Sequence, residues 1–162
     1  MDTEIRWIKN ILLAEDDPHD AELALTALTE LNLAKNVTVV GDGAEALDYL
    51  YCRGKYQARP GGNPALVLLD NKMPKVSGLE VLQTIKADAH LQTIPVVALT
   101  SSREPSDLAA FYKHGVNAYV VKPVSFSDFM KALKLLGDFW GTVNEAPPPM
   151  NGGKHLQGKV SG

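Results

Sequence analysis

Ala65-Leu-Val-Leu-Leu-Asp70 is an unbroken apolar run that ends in a carboxylate. Three further runs share its form. Ile11-Leu-Leu-Ala14 ends in Glu15-Asp16-Asp17, Pro95-Val-Val-Ala-Leu99 in Thr100-Ser101, and Ala118-Tyr-Val-Val121 in Lys122-Pro123. Short continuous apolar runs are the pattern of parallel strands covered on both faces. In open α/β sheets, ligands bind beyond the carboxyl ends of the strands. Four strands thus deliver acid, acid, hydroxyl and amine to one edge, a set suited to a magnesium ion and a phosphoryl group.

Helix-like segments alternate with these runs, as in βαβ units. Strands are predicted over 10–14, 37–40, a stretch ending at 70, 94–99 and 117–121. Asp17-Pro18 opens the first helix, with Asp17 as N-cap and an apolar face of Leu23, Ala27 and Leu31. Asp42 with Glu45, and Ser77 with Glu80, have capping-box spacing. Leu79, Leu82 and Ile85 form the inner face of the third helix. The fourth helix starts near Pro105 and stops at Gly115, a good residue to end a helix. Ser125 and Asp128 open the fifth, which runs to about Trp140. Residues 53–64, rich in Gly and Pro, read as an exposed loop.

The 162 residues suit about one domain, with residues 1–8 as an extension, 9–140 as the folded unit and 141–162 as a flexible tail. A net charge of −3 argues against a general nucleic-acid binder. No apolar run spans a bilayer, and Met1-Asp-Thr-Glu lacks a signal peptide's basic start. Cys52 is the sole cysteine, which fits a reducing cytoplasm. The four histidines, His19, His90, His114 and His155, show no metal spacing.

Glu15, Asp16 and Asp70 meet at one edge and repel each other. At about 4 Å and an effective dielectric near 20, each like-charged pair costs about 4 kcal/mol. Magnesium removes that cost and takes oxygen ligands. Asp16 and Asp70 are read as direct ligands, Glu15 as a ligand through water, and the Lys72 backbone carbonyl as a further one. Asp70 is then the nucleophile that forms an acyl phosphate. Thr100 offers a hydroxyl to a phosphoryl oxygen, and Lys122 an ammonium. Pro123 could hold a cis bond that aims Lys122 inward. Tyr119 is a strand aromatic with inward and outward positions coupled to Thr100.

Together, Glu15-Asp16, Asp70, Thr100-Ser101 and Tyr119-Val-Val-Lys122-Pro123 resemble the receiver domain of two-component response regulators. The resemblance implies a three-layer αβα fold with a five-stranded parallel sheet of order 2-1-3-4-5. It implies Asp70 as phosphoacceptor, Thr100 as switch hydroxyl, Tyr119 as switch aromatic, and Lys122 as the family's lysine. It also implies magnesium as cofactor and a sensor histidine kinase as phosphoryl donor. Glu15-Asp-Asp-Pro-His-Asp20, Tyr49-Leu-Tyr-Cys-Arg-Gly-Lys-Tyr56 and Asp138-Phe-Trp-Gly-Thr142 resemble the stand-alone regulators paired with bacterial phytochromes.

No effector domain has its own apolar pattern here, so output is expected through protein contact or onward phosphotransfer. The last helix is apolar over more than one face, through Phe126, Phe129, Met130, Leu133, Leu135, Leu136, Phe139 and Trp140. That surplus predicts a homodimer through the fourth helix, fifth strand and fifth helix. The competing reading is a metal-dependent phosphohydrolase of the haloacid-dehalogenase type. Such enzymes place a second Asp two residues after the nucleophile, where this chain has Lys72. A flavodoxin-like binder would need an anion-cradling loop where Glu15-Asp16-Asp17 stands.

Overall fold

The computed structural model describes residues 10–32 and 36–148. Five strands alternate with five helices: β1 (Ile11–Ala14), α1 (Pro18–Thr29), β2 (Val37–Val40), α2 (Gly43–Leu50), β3 (Leu66–Leu69), α3 (Gly78–Ala87), β4 (Val96–Thr100), α4 (Pro105–Lys113), β5 (Ala118–Val121) and α5 (Phe126–Asp138). The strands form one parallel sheet in the order β2-β1-β3-β4-β5. β1, β3 and β4 are buried along their whole length, which is why they read as continuous apolar runs.

Alternate residues of each strand serve opposite faces. Leu12, Ala14, Val67, Leu69, Val96 and Ala98 pack with Ala46, Leu50, Val81, Leu82, Ile85 and Phe111 of α2, α3 and α4. Ile11, Leu13, Leu66, Leu68, Val97 and Leu99 pack with Ala24, Leu28, Phe129, Met130 and Leu133 of α1 and α5. Helices on both faces make three layers. The sheet order reverses between β1 and β3, and α1 and α3 leave these strands for opposite faces. A crevice opens at such a switch point, beyond the strand ends. Ala14 pairs in register with Leu69, so Glu15 and Asp70 emerge side by side.

Local chemistry sets the helix ends. The Asp17 carboxylate accepts the N–H groups of His19 and Asp20, and Pro18 opens α1. Ser77 and Glu80 complete a reciprocal capping box. Ser125 accepts the N–H of Asp128. α4 ends before Gly115, whose φ of +89° turns the chain out of the helix. The buried face of α1 is Ala21, Ala24, Ala27 and Leu28, while Leu23 and Leu31 flank it as half-buried residues. Small residues there let α1 approach the sheet and α5 closely.

Three segments differ from the sequence expectation. Asp42 accepts the N–H of Glu45, but the Glu45 carboxylate reaches past Asp42 to the N–H of Gly41. Residues 53–64 are more than an exposed loop. A 3₁₀ turn at Gly54–Tyr56 sets Tyr56 edge-on to Tyr49 at 5.2 Å, and the Arg59 guanidinium lies 4.0 Å above the Tyr49 ring. Aromatic and cation–π contacts tie the segment to α2. Finally, α5 continues as a π-helical turn, Phe139–Val143, in which Gly141 is buried. Residues 1–9, 33–35 and 149–162 lie outside the described residues, and with them the expected extension, most of the expected tail, and His155.

Glu45 is the ionic centre of the α2 end. It accepts the Tyr56 hydroxyl at 2.6 Å and pairs with Lys55 at 2.8 Å. Burial raises its pKa, but the Gly41 N–H, Lys55 and the Tyr56 hydroxyl outweigh this and bring it from 4.5 to about 2. A carboxyl that holds its proton less tightly when folded stabilises the fold fully above its unfolded pKa, and loses that contribution as pH falls through the folded one. The chain is therefore expected to lose this contribution between pH 4.5 and about 2. Glu45→Gln should cost about 1 kcal/mol at pH 7, a value reduced for solvent screening. It should also flatten the acid limb of the stability curve. Denaturant unfolding at stepped pH measures both.

Candidate functional site: an acidic crevice closed by one lysine

The crevice is built from strand ends. β1 runs into Glu15, which is buried, and then Asp16, which is exposed. β3 runs into Asp70, buried, whose N–H bonds to the Ala14 carbonyl at 3.0 Å. β4 ends in the buried Thr100. Thr100 is in register with Val121, so Lys122 leaves β5 one residue later, and its N–H bonds the Thr100 carbonyl at 2.8 Å. Carboxylate oxygens of Glu15, Asp16 and Asp70 come within 4.8 Å of one another. Three hard oxygen donors so close are the donor set of a magnesium site. Exposed Asp16 leaves that site open to water. The sequence reading thus placed Glu15, Asp16, Asp70, Thr100 and Lys122 at one edge, and the structure brings them together there.

Lys122 is the counter-ion of the group. Its ammonium lies 2.7 Å from Glu15, 2.9 Å from Asp20 and 3.8 Å from Asp70. Burial lowers the lysine pKa, but the bonds to Glu15 and Asp20 and the charge of Asp70 more than reverse this, so the ammonium stays charged. Burial lifts the Glu15 carboxyl to about 7; the charge of Asp70 adds to the rise and Lys122 opposes it. Burial also raises the Asp70 carboxyl, against the pull of Lys122, Glu15, the Asn71 N–H and the Thr100 hydroxyl. One ammonium is shared among Glu15, Asp20 and Asp70, an imbalance of charge that a dication relieves. No cis bond aims Lys122. The Lys122–Pro123 peptide is trans, and the ion pairs hold the ammonium in place.

The loop after β3 is held tightly. The Asp70 Oδ1 accepts the Asn71 N–H at 2.8 Å, and the Gly78 N–H bonds the Asn71 carbonyl at 2.8 Å. Lys72, whose backbone carbonyl is the expected further ligand, lies in this loop with its side chain exposed. Tyr119 is half-buried and packs against the core on the α4 side of the sheet. Its ring meets Phe111 edge-on at 5.5 Å, and its hydroxyl donates to the Ser102 carbonyl at 3.0 Å. The Ser102 N–H donates to the Thr100 hydroxyl oxygen at 3.3 Å, and its own hydroxyl donates to Asp107 of α4 at 2.5 Å. A hydrogen-bonded path thus joins the Thr100 hydroxyl to Tyr119 and α4.

Sequence reasoning missed Asp20, Ser102 and Gly78. Asp20 sits one helical turn past the acidic pair, a spacing that points it toward the same edge. Ser102 carried no signal by itself. Gly78 follows its cap Ser77 directly, yet only the packed structure shows how close α3 comes to β3.

The sequence profile of the response regulator receiver domain matches residues 11–134, and the chain belongs to that family. It is a signal-transduction receiver rather than a free-standing enzyme. Among solved structures, the phosphorylated cyanobacterial phytochrome response regulator RcpA is 37% identical at a TM-score of 0.80, covering 86% of this chain and 98% of that one. The bacteriophytochrome response regulator AtBRR is 59% identical at a TM-score of 0.69, covering 86% of this chain and 100% of that one. The probable methanogenesis regulatory protein FilR2 of Methanothrix harundinacea (strain 6Ac) is 39% identical over 142 residues, covering 86% of this chain and 88% of the relative. No helix among the described residues is long and apolar enough to cross a membrane.

A Cβ on Gly78 would lie 2.0 Å from the Asp70 carbonyl oxygen and 2.8 Å from the Asn71 Cα. Backbone atoms cannot swing aside as a side chain can. Gly78→Ala is expected to cost about 2–3 kcal/mol by overpacking. Gly61→Ala, with nothing within 4 Å, should be close to neutral. Denaturant midpoints of the two variants check the contrast.

Proposed function

We propose that the chain accepts a phosphoryl group on Asp70 from the phosphohistidine of a phytochrome-type sensor kinase and transmits the change through protein contacts. The observation that carries this reading is the Glu15–Asp16–Asp70 cluster with the Lys122 ammonium set against it. The likeness to the phytochrome and bacteriophytochrome response regulators RcpA and AtBRR supports the choice of kinase.

Asp16 and Asp70 would hold magnesium directly, with the Lys72 carbonyl, and Glu15 would do so through water. Bound there, the ion supplies positive charge against the carboxylates and the phosphoryl oxygens. An Asp70 oxygen forms the new bond to phosphorus as the phosphorus–nitrogen bond of the donor breaks, and the imidazole leaves and takes up a proton. Lys122 pairs with one phosphoryl oxygen and the Thr100 hydroxyl donates to another. As Thr100 turns toward the new group, it draws on the Ser102 N–H. The Tyr119 hydroxyl and Asp107 are tied to Ser102, so the end of β4 and the start of α4 shift with it. Charge added at one atom thereby biases a two-state element.

With acetyl phosphate and magnesium, the protein should gain one phosphoryl group that hydroxylamine removes, and Asp70→Asn should gain none by intact mass. A red-light-sensing histidine kinase carrying labelled phosphohistidine should transfer its label faster than an unrelated kinase. An adduct that persists in Asp70→Asn would overturn the assignment of the acceptor.

The same reading includes a homodimer through α4, β5 and α5. Support lies in the exposed apolar surface there. Phe129, Met130 and Leu133 are spent on the core, and Trp140 packs against it. Phe126, Leu135 and Phe139 remain 61%, 71% and 47% exposed, and Tyr112 of α4 is exposed as well. β5 is an edge strand beside them. A second copy of the chain would cover this face. Light scattering at micromolar concentration should give twice the chain mass. Leu135→Asp should return the monomer, because a charge would be buried without a partner, and should leave acetyl-phosphate labelling intact. A monomer in both the free and beryllofluoride-bound forms would remove the dimer from the reading.

A further inference from the structure

Asp20 takes no part in the chemistry described so far, yet it holds one of the two short contacts to the Lys122 ammonium. Lys122 has three N–H donors. Glu15 takes one at 2.7 Å and Asp20 another at 2.9 Å, whereas Asp70 at 3.8 Å is beyond hydrogen-bond range. Among the described residues, Lys122 is the only partner of the Asp20 carboxylate. Glu15 differs, because its oxygens also face the acidic cluster and accept the Asp17 N–H at 3.1 Å. Asp20 lies outside that cluster, in the first turn of α1. The contact joins residues 102 positions apart, and so is a product of the fold alone.

A phosphoryl group on Asp70 needs this same ammonium. To serve it, the Lys122 ammonium must move toward Asp70, which it faces at 3.8 Å, and the contact to Asp20 is the one whose loss disturbs neither the cluster nor the metal donors. Resting on the assignment of Asp70 as phosphoacceptor, we propose that Asp20 is a positioning residue. It is a competing counter-ion that holds the Lys122 ammonium on the α1 side of the crevice until a phosphoryl group draws it away. Its carboxylate therefore sets the strength with which the site retains a phosphoryl group. With Asp20 present, part of the Lys122–phosphoryl attraction goes to breaking an existing ion pair. Without it, only Glu15 holds the ammonium at short range, and less is lost when the ammonium turns to the phosphoryl group.

Beryllofluoride with magnesium, titrated calorimetrically into the full chain, reports how well the site holds a phosphoryl group. Asp20→Asn keeps the size of the side chain and should tighten beryllofluoride binding about three- to fivefold, the upper part of the range for a part-exposed ion pair. Asp20→Glu restores the charge and should bind within about twofold of the unaltered protein. In a Lys122→Met background, Asp20→Asn should have no effect, since the effect runs through the ammonium. Equal tightening in both backgrounds would overturn the proposal, because removal of any nearby negative charge would then suffice. Weaker binding by Asp20→Asn would also overturn it, since Asp20 would then be holding Lys122 toward the phosphoryl group. Thermal unfolding of each variant separates a folding defect from a binding effect. If the unaltered protein takes up no beryllofluoride, the Asp70 assignment itself falls. If the unaltered protein binds and Asp20→Asn matches it, only the role of Asp20 falls.

Discussion

One ammonium among four carboxylates is the constraint around which the crevice is arranged. Lys122 lies within 4 Å of Glu15, Asp20 and Asp70, and Asp16 completes the acidic group on the solvent side. Without that positive charge, three strand and helix ends carrying acids could not approach so closely in a buried setting. Burial raises the Glu15 and Asp70 carboxyls even so, and one ammonium still faces four carboxylates. A site held in such imbalance responds strongly to a dication or to a new dianion, because each changes the largest energies present.

The scaffold makes this imbalance tolerable. The parallel sheet is buried on both faces, and its two packed layers are dense and apolar. The cost of gathering the acids is offset by burial elsewhere, and the registers of β1, β3, β4 and β5 leave little freedom at their ends. Gly78 shows how tight the support is, since α3 begins against the very carbonyl of Asp70. Rigidity there gives direction to motion elsewhere. The Thr100–Ser102–Tyr119 path is made of hydrogen bonds between a hydroxyl, a loop backbone and an aromatic that packs on the core at Phe111.

How much was legible depended on the range of the interaction. Asp17, Ser77 and Ser125 act within one helical turn, so their spacing identified them. The Glu45 carboxylate was misread by one residue, because Gly41 and Asp42 are both within its reach and only the turn geometry selects Gly41. Residues 53–64 looked like solvent-facing loop because Gly and Pro dominate them. Tyr56 and Arg59 find Tyr49 only once α2 is in place. Lys86 gave no signal at all, yet its ammonium bonds the carbonyls of Gln92 and Ile94 and the side chain of Asn117, closing the chain between α3 and β5.

By itself, the sequence determined the strands, the burial of β1, β3 and β4 on both faces, and the chemistry each would carry to the crevice; the run at Ala118–Val121 read the same way, but β5 lies at the sheet edge and is only half-buried. Those are properties of short runs: apolar continuity, and the residue that ends it. It also specified the acids that form a candidate metal site, because strands in parallel register must present their ends together. Tertiary structure alone decided the partners of Lys122, the contacts of Tyr119 with Phe111 and Ser102, and the clearance at Gly78. Each depends on atoms brought together from distant parts of the chain, at distances where one ångström separates an ion pair from none. Local patterns encode which groups are offered; the packing of helices against the sheet selects which of them touch.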